Sequence, residues 1–230
     1  MKTIRWILVW SRNIVLCFVL LSFVLVIVYK FVPVYYTPLM FIRLREQNTG
    51  TIKHRWVPMD RISQSVVQAV VASEDNLYME HPGFDRFQIN KAISNTRRGK
   101  RPRGASTISQ QTAKNVFLWP KRSYFRKALE AYFTILIEKV WGKERIMEVY
   151  LNSIEMGVGI YGIEAASQAY YGKQAYQLTR GEAALIAAIL PDPQRRNPTR
   201  VSVYLQKRQE QILSLMQKLE PVPIGYRRLD

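Results

Sequence analysis

The order of apolar and polar positions divides the chain into one unbroken apolar run and a longer, mixed remainder. From Ile14 to Tyr29 the residues read IVLCFVLLSFVLVIVY, with no charge and no proline. A membrane-spanning helix needs roughly 20 apolar residues, and Phe31, Val32 and the Trp6–Trp10 stretch extend the run toward that length. The pattern predicts a short tail over 1–13 and a transmembrane helix over 14–32. The residues after Tyr29, KFVPVYYTPLMF, are bulky throughout and supply no small-residue cleavage site, so a retained anchor is expected rather than a removed signal peptide. Residues 33–50 have poor periodicity and read either as a membrane-proximal linker or as a surface dipping into the bilayer interface.

From residue 51 to 230 the spacing is helical and predicts one mainly α domain. Ile62, Val66, Ala69 and Val70 lie on one helical face behind Asp60, a candidate N-cap. A second helix is expected over Phe87–Arg98, ending at Gly99, and a third over Thr107–Leu118 with Ser106 as its cap. Tyr124–Trp141 reads as a long helix ending at Gly142, followed by a helix over Glu144–Leu151 and a glycine-rich stretch around Gly157, Gly159 and Gly162. Thr179 and Glu182 form a capping box ahead of ALIAAIL, which Pro191 and Pro193 terminate, and Val201–Leu219 is the last helix. No period-2 alternation of useful length is present.

Charge adds a constraint that periodicity does not. The 230 residues carry 34 Lys and Arg against 17 Asp and Glu, a formal +17. Such an excess requires an anionic partner: nucleic acid, anionic lipid or a phosphorylated substrate. Lys2, Arg5 and Arg12 precede the apolar run and place the N-terminus in the cytoplasm by the positive-inside rule, although Lys30, Arg43 and Arg45 weaken the asymmetry. With that orientation the domain lies outside the cytoplasmic membrane, on the periplasmic side, where nucleic acid is not a regular target. The single cysteine, Cys17, excludes an internal disulfide and any cysteine-based zinc site.

The charge is concentrated. No acidic residue occurs between Asp85 and Glu130, while lysines and arginines recur from Arg86 to Lys127. A surface helix ordinarily interleaves both signs, so a one-signed field of this length suits a bound polyanion such as a diphosphate, clamped by Lys and Arg. Glu74-Asp75 precedes the field and Glu130 closes it. Within it, GASTISQQTAKN crowds Ser106, Thr107, Gln110, Gln111 and Lys114 together, with 107, 110, 111 and 114 at the spacing of one helix face. Such adaptable donors and acceptors suit a sugar.

Three motifs then carry a resemblance: Glu74-Asp75-x-x-Tyr78-x-x-His81-x-Gly83, Gly104-Ala105-Ser106-Thr107-Ile108-Ser109-Gln110-Gln111, and Arg126-Lys127-x-x-Glu130. Arg145–Asn152, Tyr161–Ala166 and Tyr171-Gly172-Lys173 continue it. In this order, over roughly 50–195, they resemble the family 51 glycosyltransferases, peptidoglycan polymerases found alone or fused to penicillin-binding transpeptidase domains. The chain is most similar to the monofunctional members, because it stops before a second domain and contains no Ser-x-x-Lys. Tyr78 and Ser109 stand where the family usually has Phe and Thr.

The resemblance implies a lysozyme-like α-helical glycosyltransferase domain that polymerises lipid II into β-1,4-linked glycan, with inversion at the donor carbon and release of polyprenyl diphosphate. Glu74 is implied as the base for the acceptor hydroxyl. Glu130 is implied as a second essential carboxylate that organises the diphosphate site, a general acid being the weaker alternative. Asp75, Arg103, Ser106, Thr107, Gln110, Gln111, Lys114, Arg122, Arg126 and Lys127 are implied as substrate-binding. No tightly bound cofactor is implied, and a divalent cation, Mg or Mn, stays open at the diphosphate. Partners implied are lipid II, the growing glycan, the membrane and other cell-wall synthesis or division proteins. His81 reads as a packing or hydrogen-bonding residue. A lysozyme-like glycan hydrolase has no need of an anchor or a diphosphate-sized basic field. A non-catalytic cell-wall scaffold requires both carboxylates to be silent, and a membrane-bound nucleic-acid binder leaves the Glu and Gln motifs without a purpose.

Overall fold

A computed structural model describes residues 2–47, 50–99 and 106–225. The apolar run lies in α1, a helix of thirty residues over Lys2–Phe31, longer than the expected span. The membrane-proximal segment carries a helix of its own, α2 (Pro38–Gln47), whose Leu39 and Met40 are buried. Then follow α3 (Gln64–Glu74), α4 (Arg86–Arg97), α5 (Ile108–Phe117), α6 (Tyr124–Val140), α7 (Gly142–Ser153), α8 (Ile163–Tyr171), α9 (Arg180–Ile189) and α10 (Val203–Lys218). Three very short strands, β1 (Lys53–His54), β2 (Glu155–Gly157) and β3 (Ile160–Tyr161), form a sheet in the order β1-β3-β2. The β1–β3 pair is parallel and the β2–β3 pair antiparallel.

Two helical groups make the core. One packs α9 against α3 and α10; the other packs α5 against α6 and α7. The first group depends on side-chain size. Ala183, Ala184, Ala187 and Ala188 of α9 are buried, and small side chains let neighbouring helices approach closely. Helix α3 contains four valines, Val66, Val67, Val70 and Val71, all buried. Valine costs at most about 0.7 kcal/mol in helix propensity, whereas burying its side chain contributes roughly 1.5 kcal/mol or more, so packing decides the conformation. Gln68, also buried, donates to Glu220 O at 3.0 Å and accepts from Val222 N at 3.0 Å, tying α3 to the segment beyond α10.

Helix α3 starts after Ser63, and Asp60, expected as its cap, lies instead in a single 3-10 turn over Met59–Arg61. The second half of α1 is seated on the domain. Ser22 Oγ and Tyr132 OH are 2.6 Å apart, Trp141 Nε1 donates to Val26 O at 2.7 Å, and Arg145 donates to Tyr29 O and Val32 O at 2.8 and 2.7 Å. Ser22 and Val26 are buried by this contact, while most of α1 is exposed.

Candidate active site

Glu74 is the last residue of α3, half-buried, with each carboxylate oxygen held by a neutral donor. Gln111 Nε2 donates to Oε2 at 2.9 Å, and Ser73 Oγ to Oε1 at 3.3 Å. Each donor has backing. Tyr150 OH donates to Gln111 Oε1 at 3.3 Å, and Arg208 Nη2 of α10 donates to Ser73 Oγ at 3.3 Å and Ser73 O at 3.2 Å. Burial raises the Tyr150 pKa well above its ordinary value, and the charges of Glu74 and Asp75 push the same way, so Tyr150 stays a neutral donor. Glu74 opens onto a cavity of about 420 Å³ whose lining includes Asn76, Gln88, Lys91, Ser106 and Arg208.

Glu130, on the second turn of α6, is buried between two cations. Arg126 Nη1 donates to Oε2 at 2.7 Å and Lys127 Nζ donates to Oε1. The Ser123 side chain caps α6 through Arg126 N at 3.0 Å, which fixes where both cations emerge. These residues, with Gln111, Lys114 and Arg122, line a second cavity of about 470 Å³. Burial lowers the Lys114 pKa; Glu130 pulls it back up, and the fields of Arg126, Lys127 and Arg43 lower it further. The two cavities share Ser106, and Gln111 bridges them by lining one while bonding Glu74 in the other.

Asp75, Thr107 and Gln110, expected to face substrate, are buried and engaged in holding α5; Asp75 and Thr107 also line the first cavity, whereas Gln110 lines neither. Thr107, not Ser106, is the N-cap: its Oγ1 accepts from Gln110 N at 3.2 Å, while Gln110 Oε1 accepts from Thr107 N at 3.0 Å. Asp75 Oδ2 accepts from Ile108 N at 3.0 Å, placing a carboxylate at the positive end of the helix, and its Oδ1 is 2.8 Å from His81 Nε2. Thr107 Oγ1 also donates to Gly83 O at 2.7 Å. The first motif thus clamps the second, and these side chains act on the cleft by aiming Gln111 and Lys114 into it. Exposed Ser106 faces both cavities and Arg122 faces the second. Arg103 lies outside the described residues.

The remaining motif positions are explained by packing. Gly83 has φ +91°, and a Cβ there would meet Thr134 Cγ2 at 2.8 Å and Glu138 Cγ at 2.9 Å, so only glycine fits. Tyr78, in place of the usual Phe, is fully buried and donates its extra hydroxyl to Lys143 O at 2.7 Å. Ser109 donates to Glu138. Asn152 clamps Val57, accepting from its N–H and donating to its carbonyl, both at 2.9 Å. Sequence reasoning missed Ser73, Tyr150 and Arg208 around Glu74, and Arg43 and Glu155 on the second cavity. Among the described residues no group of three or more His, Cys, Asp and Glu could hold a metal ion. At Glu130, both oxygens already accept from cations, so a divalent ion there would have to displace one.

The α-helical domain thus carries two carboxylates on adjoining cavities, one of them beside a dense cationic field. The family model described as Transglycosylase matches residues 43–217, and the chain belongs to that family. It is 54% identical over 224 residues to the Biosynthetic peptidoglycan transglycosylase of Bacteroides thetaiotaomicron, covering 96% of this chain and 90% of the relative. The protein of the same name from Bdellovibrio bacteriovorus is 52% identical over 89% of this chain and 84% of its own length. That of Shewanella oneidensis is 40% identical, over 97% of both.

Proposed function

We propose that the adjoining cavities hold the two substrates of peptidoglycan strand synthesis: the acceptor, lipid II, beside Glu74, and the lipid-linked donor with its diphosphate beside Glu130. Transglycosylase membership and the relatives' shared name make the overall reaction peptidoglycan glycosyl transfer. The observation that carries the assignment of sides is the charge contrast. Glu74 is held by two uncharged donors, whereas Glu130 is bound by a guanidinium and an ammonium.

Glu74 takes the proton of the acceptor hydroxyl as that oxygen attacks the anomeric carbon of the donor. The bond from that carbon to the diphosphate breaks, and its electron pair leaves with the polyprenyl diphosphate. Lys114, Arg122, Arg126 and Lys127 neutralise the charge that develops there, and Glu130 orients Arg126 and Lys127. Displacement from the opposite face inverts an α-linked donor to a β-linked product. Both Glu130 oxygens accept from cations, which suits a role in orienting Arg126 and Lys127 better than that of a hydrolase-type general acid. No step is drawn through a divalent cation. The test is incubation of the full-length protein with lipid II: high-molecular-weight glycan is expected, and soluble fragments or no turnover would refute the reading.

Helix α1 is the membrane anchor in this reading, with the N-terminus cytoplasmic and the catalytic domain outside. Its span is supported by length and by an 18-residue stretch within Thr3–Phe31 whose mean hydropathy is 2.8. Tyr124 and Phe125, 98% and 68% exposed beside Lys121 and Arg122, suit a bilayer interface better than water. Protease added outside intact spheroplasts should digest the domain; full protection would overturn the orientation.

A further inference from the structure

The second cavity has a wall that none of the sequence motifs supplies. Arg43 of α2 lines it together with Lys114, Arg126 and Glu130. Its Nη1 donates to Glu46 at 2.8 Å, but its Nε stands 3.7 Å from Glu155 Oε2, beyond hydrogen-bond reach. That Nε is buried and has no acceptor. Arg126 Nε is in the same condition, on a residue only 7% exposed. A buried N–H without an acceptor is costly, and the two arginines that carry these atoms line one cavity. An anion with several oxygens held there would satisfy both once the side chains turn toward it.

Glu155 explains why Arg43 stays at the cavity. It is 8% exposed, and Gln47 Nε2 donates to its Oε1 at 2.6 Å. Gln194 Nε2 reaches both of its oxygens at 3.2 Å. The carboxylate therefore attracts Arg43 without consuming its Nε hydrogen. Arg43 is near enough for its charge to act on Lys114 alongside Arg126 and Lys127. Helix α2 also lies between the anchor and the domain in the chain, where the head of a membrane-held lipid would arrive.

We propose that Arg43 is a further substrate-binding residue, completing with Arg126 the cradle for the donor's diphosphate. The proposal rests on the placement of that diphosphate in the second cavity. A planar guanidinium matches two phosphate oxygens at once, which an ammonium does not. The test uses the full-length protein with lipid II and four variants: Arg43→Ala, Arg43→Lys, Glu155→Gln and, as a control on the exposed side of α2, Arg45→Ala. Loss of a charge-assisted contact should raise KM for lipid II about tenfold or more in Arg43→Ala, with kcat less affected. Arg43→Lys should recover part of this, and Arg45→Ala should behave as wild type. Inorganic diphosphate, as a competitor, should inhibit Arg43→Ala more weakly than wild type.

Glu155→Gln separates binding from structure. If Arg43 serves only as the partner of Glu155, both variants should raise KM equally, and the proposal fails. If Arg43 binds the diphosphate, Glu155→Gln loosens its seat but leaves the guanidinium at the cavity, so KM rises clearly less than in Arg43→Ala. An unchanged KM in Arg43→Ala, or a fall in kcat alone, also overturns the proposal. Should Arg43→Ala not fold, Arg43→Gln keeps the aliphatic stem without the guanidinium charge and carries the same expectation. An inactive wild type would instead overturn the glycosyl-transfer reading itself.

Discussion

Replacing Glu74 by Gln isolates the chemistry from the scaffold more cleanly than any other substitution in the cleft. The amide keeps the shape and one acceptor oxygen but cannot take a proton. The cost to the fold follows from its contacts. Glu74 accepts one bond from Gln111 and one longer bond from Ser73, and a typical hydrogen bond contributes about 1 kcal/mol net. Gln111 is itself an amide facing Tyr150, so reorienting both amides recovers part of that. The expected loss of stability is about 1 kcal/mol or less. The expected loss of rate is roughly 10²–10⁴-fold, the usual contribution of a positioned base, and 10²-fold already corresponds to about 2.7 kcal/mol of barrier. Glycan synthesis from saturating lipid II should therefore fall at least 10²-fold while the melting curve hardly moves. A folded Glu74→Gln variant with full polymerase activity would refute the base assignment.

Three further substitutions test different parts of the site. Gly83→Ala should lower stability by about 2 kcal/mol or more, since it combines a left-handed backbone with a Cβ overlapping Thr134 and Glu138; a thermal melt within experimental error of wild type would contradict the geometry. Thr107→Ala should cost about 1 kcal/mol through loss of the α5 cap; a thermal melt equal to wild type would contradict the cap. For Lys114, the folded pKa lies below the ordinary 10.5, so the unfolded chain binds more protons between the two values and stability rises with pH across that window. Lys114→Met should accordingly abolish turnover yet melt higher than wild type at neutral pH, the gap closing toward pH 10.5; a gap that widens with pH would contradict the direction of the shift.

Much of the helical frame was legible in the pattern of residues. Thr179-x-x-Glu182 before a run of small apolar residues announced α9, and the single-signed field between Asp85 and Glu130 announced the cavity that Lys114, Arg126 and Lys127 line. What was missed has physical causes. Strands of two or three residues are too short to display alternation. Helix α8 is only nine residues long, lies between Gly162 and Gly172, and buries Glu164 and Ser167 within its apolar face, which breaks its periodicity. The α5 cap was legible but misplaced by one residue: Thr107-x-x-Gln110 is a capping box of the same kind as Thr179-x-x-Glu182. That single shift makes Thr107 and Gln110 the two halves of a buried cap, with Thr107 still lining the first cavity. Arg208, Arg43 and Glu155 could not be seen at all, because each reaches the site from a segment far from its neighbours in the chain.

The seating of α1 on α6 and α7 makes the anchor a gauge rather than a tether. Between Ser22 and Phe31 the helix rises about 14 Å, and along that stretch Tyr132, Trp141 and Arg145 grip it at three levels. Glu130 sits on the same helix as Tyr132, one half-turn away. In the proposed anchoring, the distance from the bilayer to the second cavity is set by the register of one helix, not by the slack of a linker. A residue added before Ser22 would leave that height untouched. One added between Ser22 and Tyr29 would turn the upstream helix by about 100° and uncouple the depth of the lipid from the place where its head group must react.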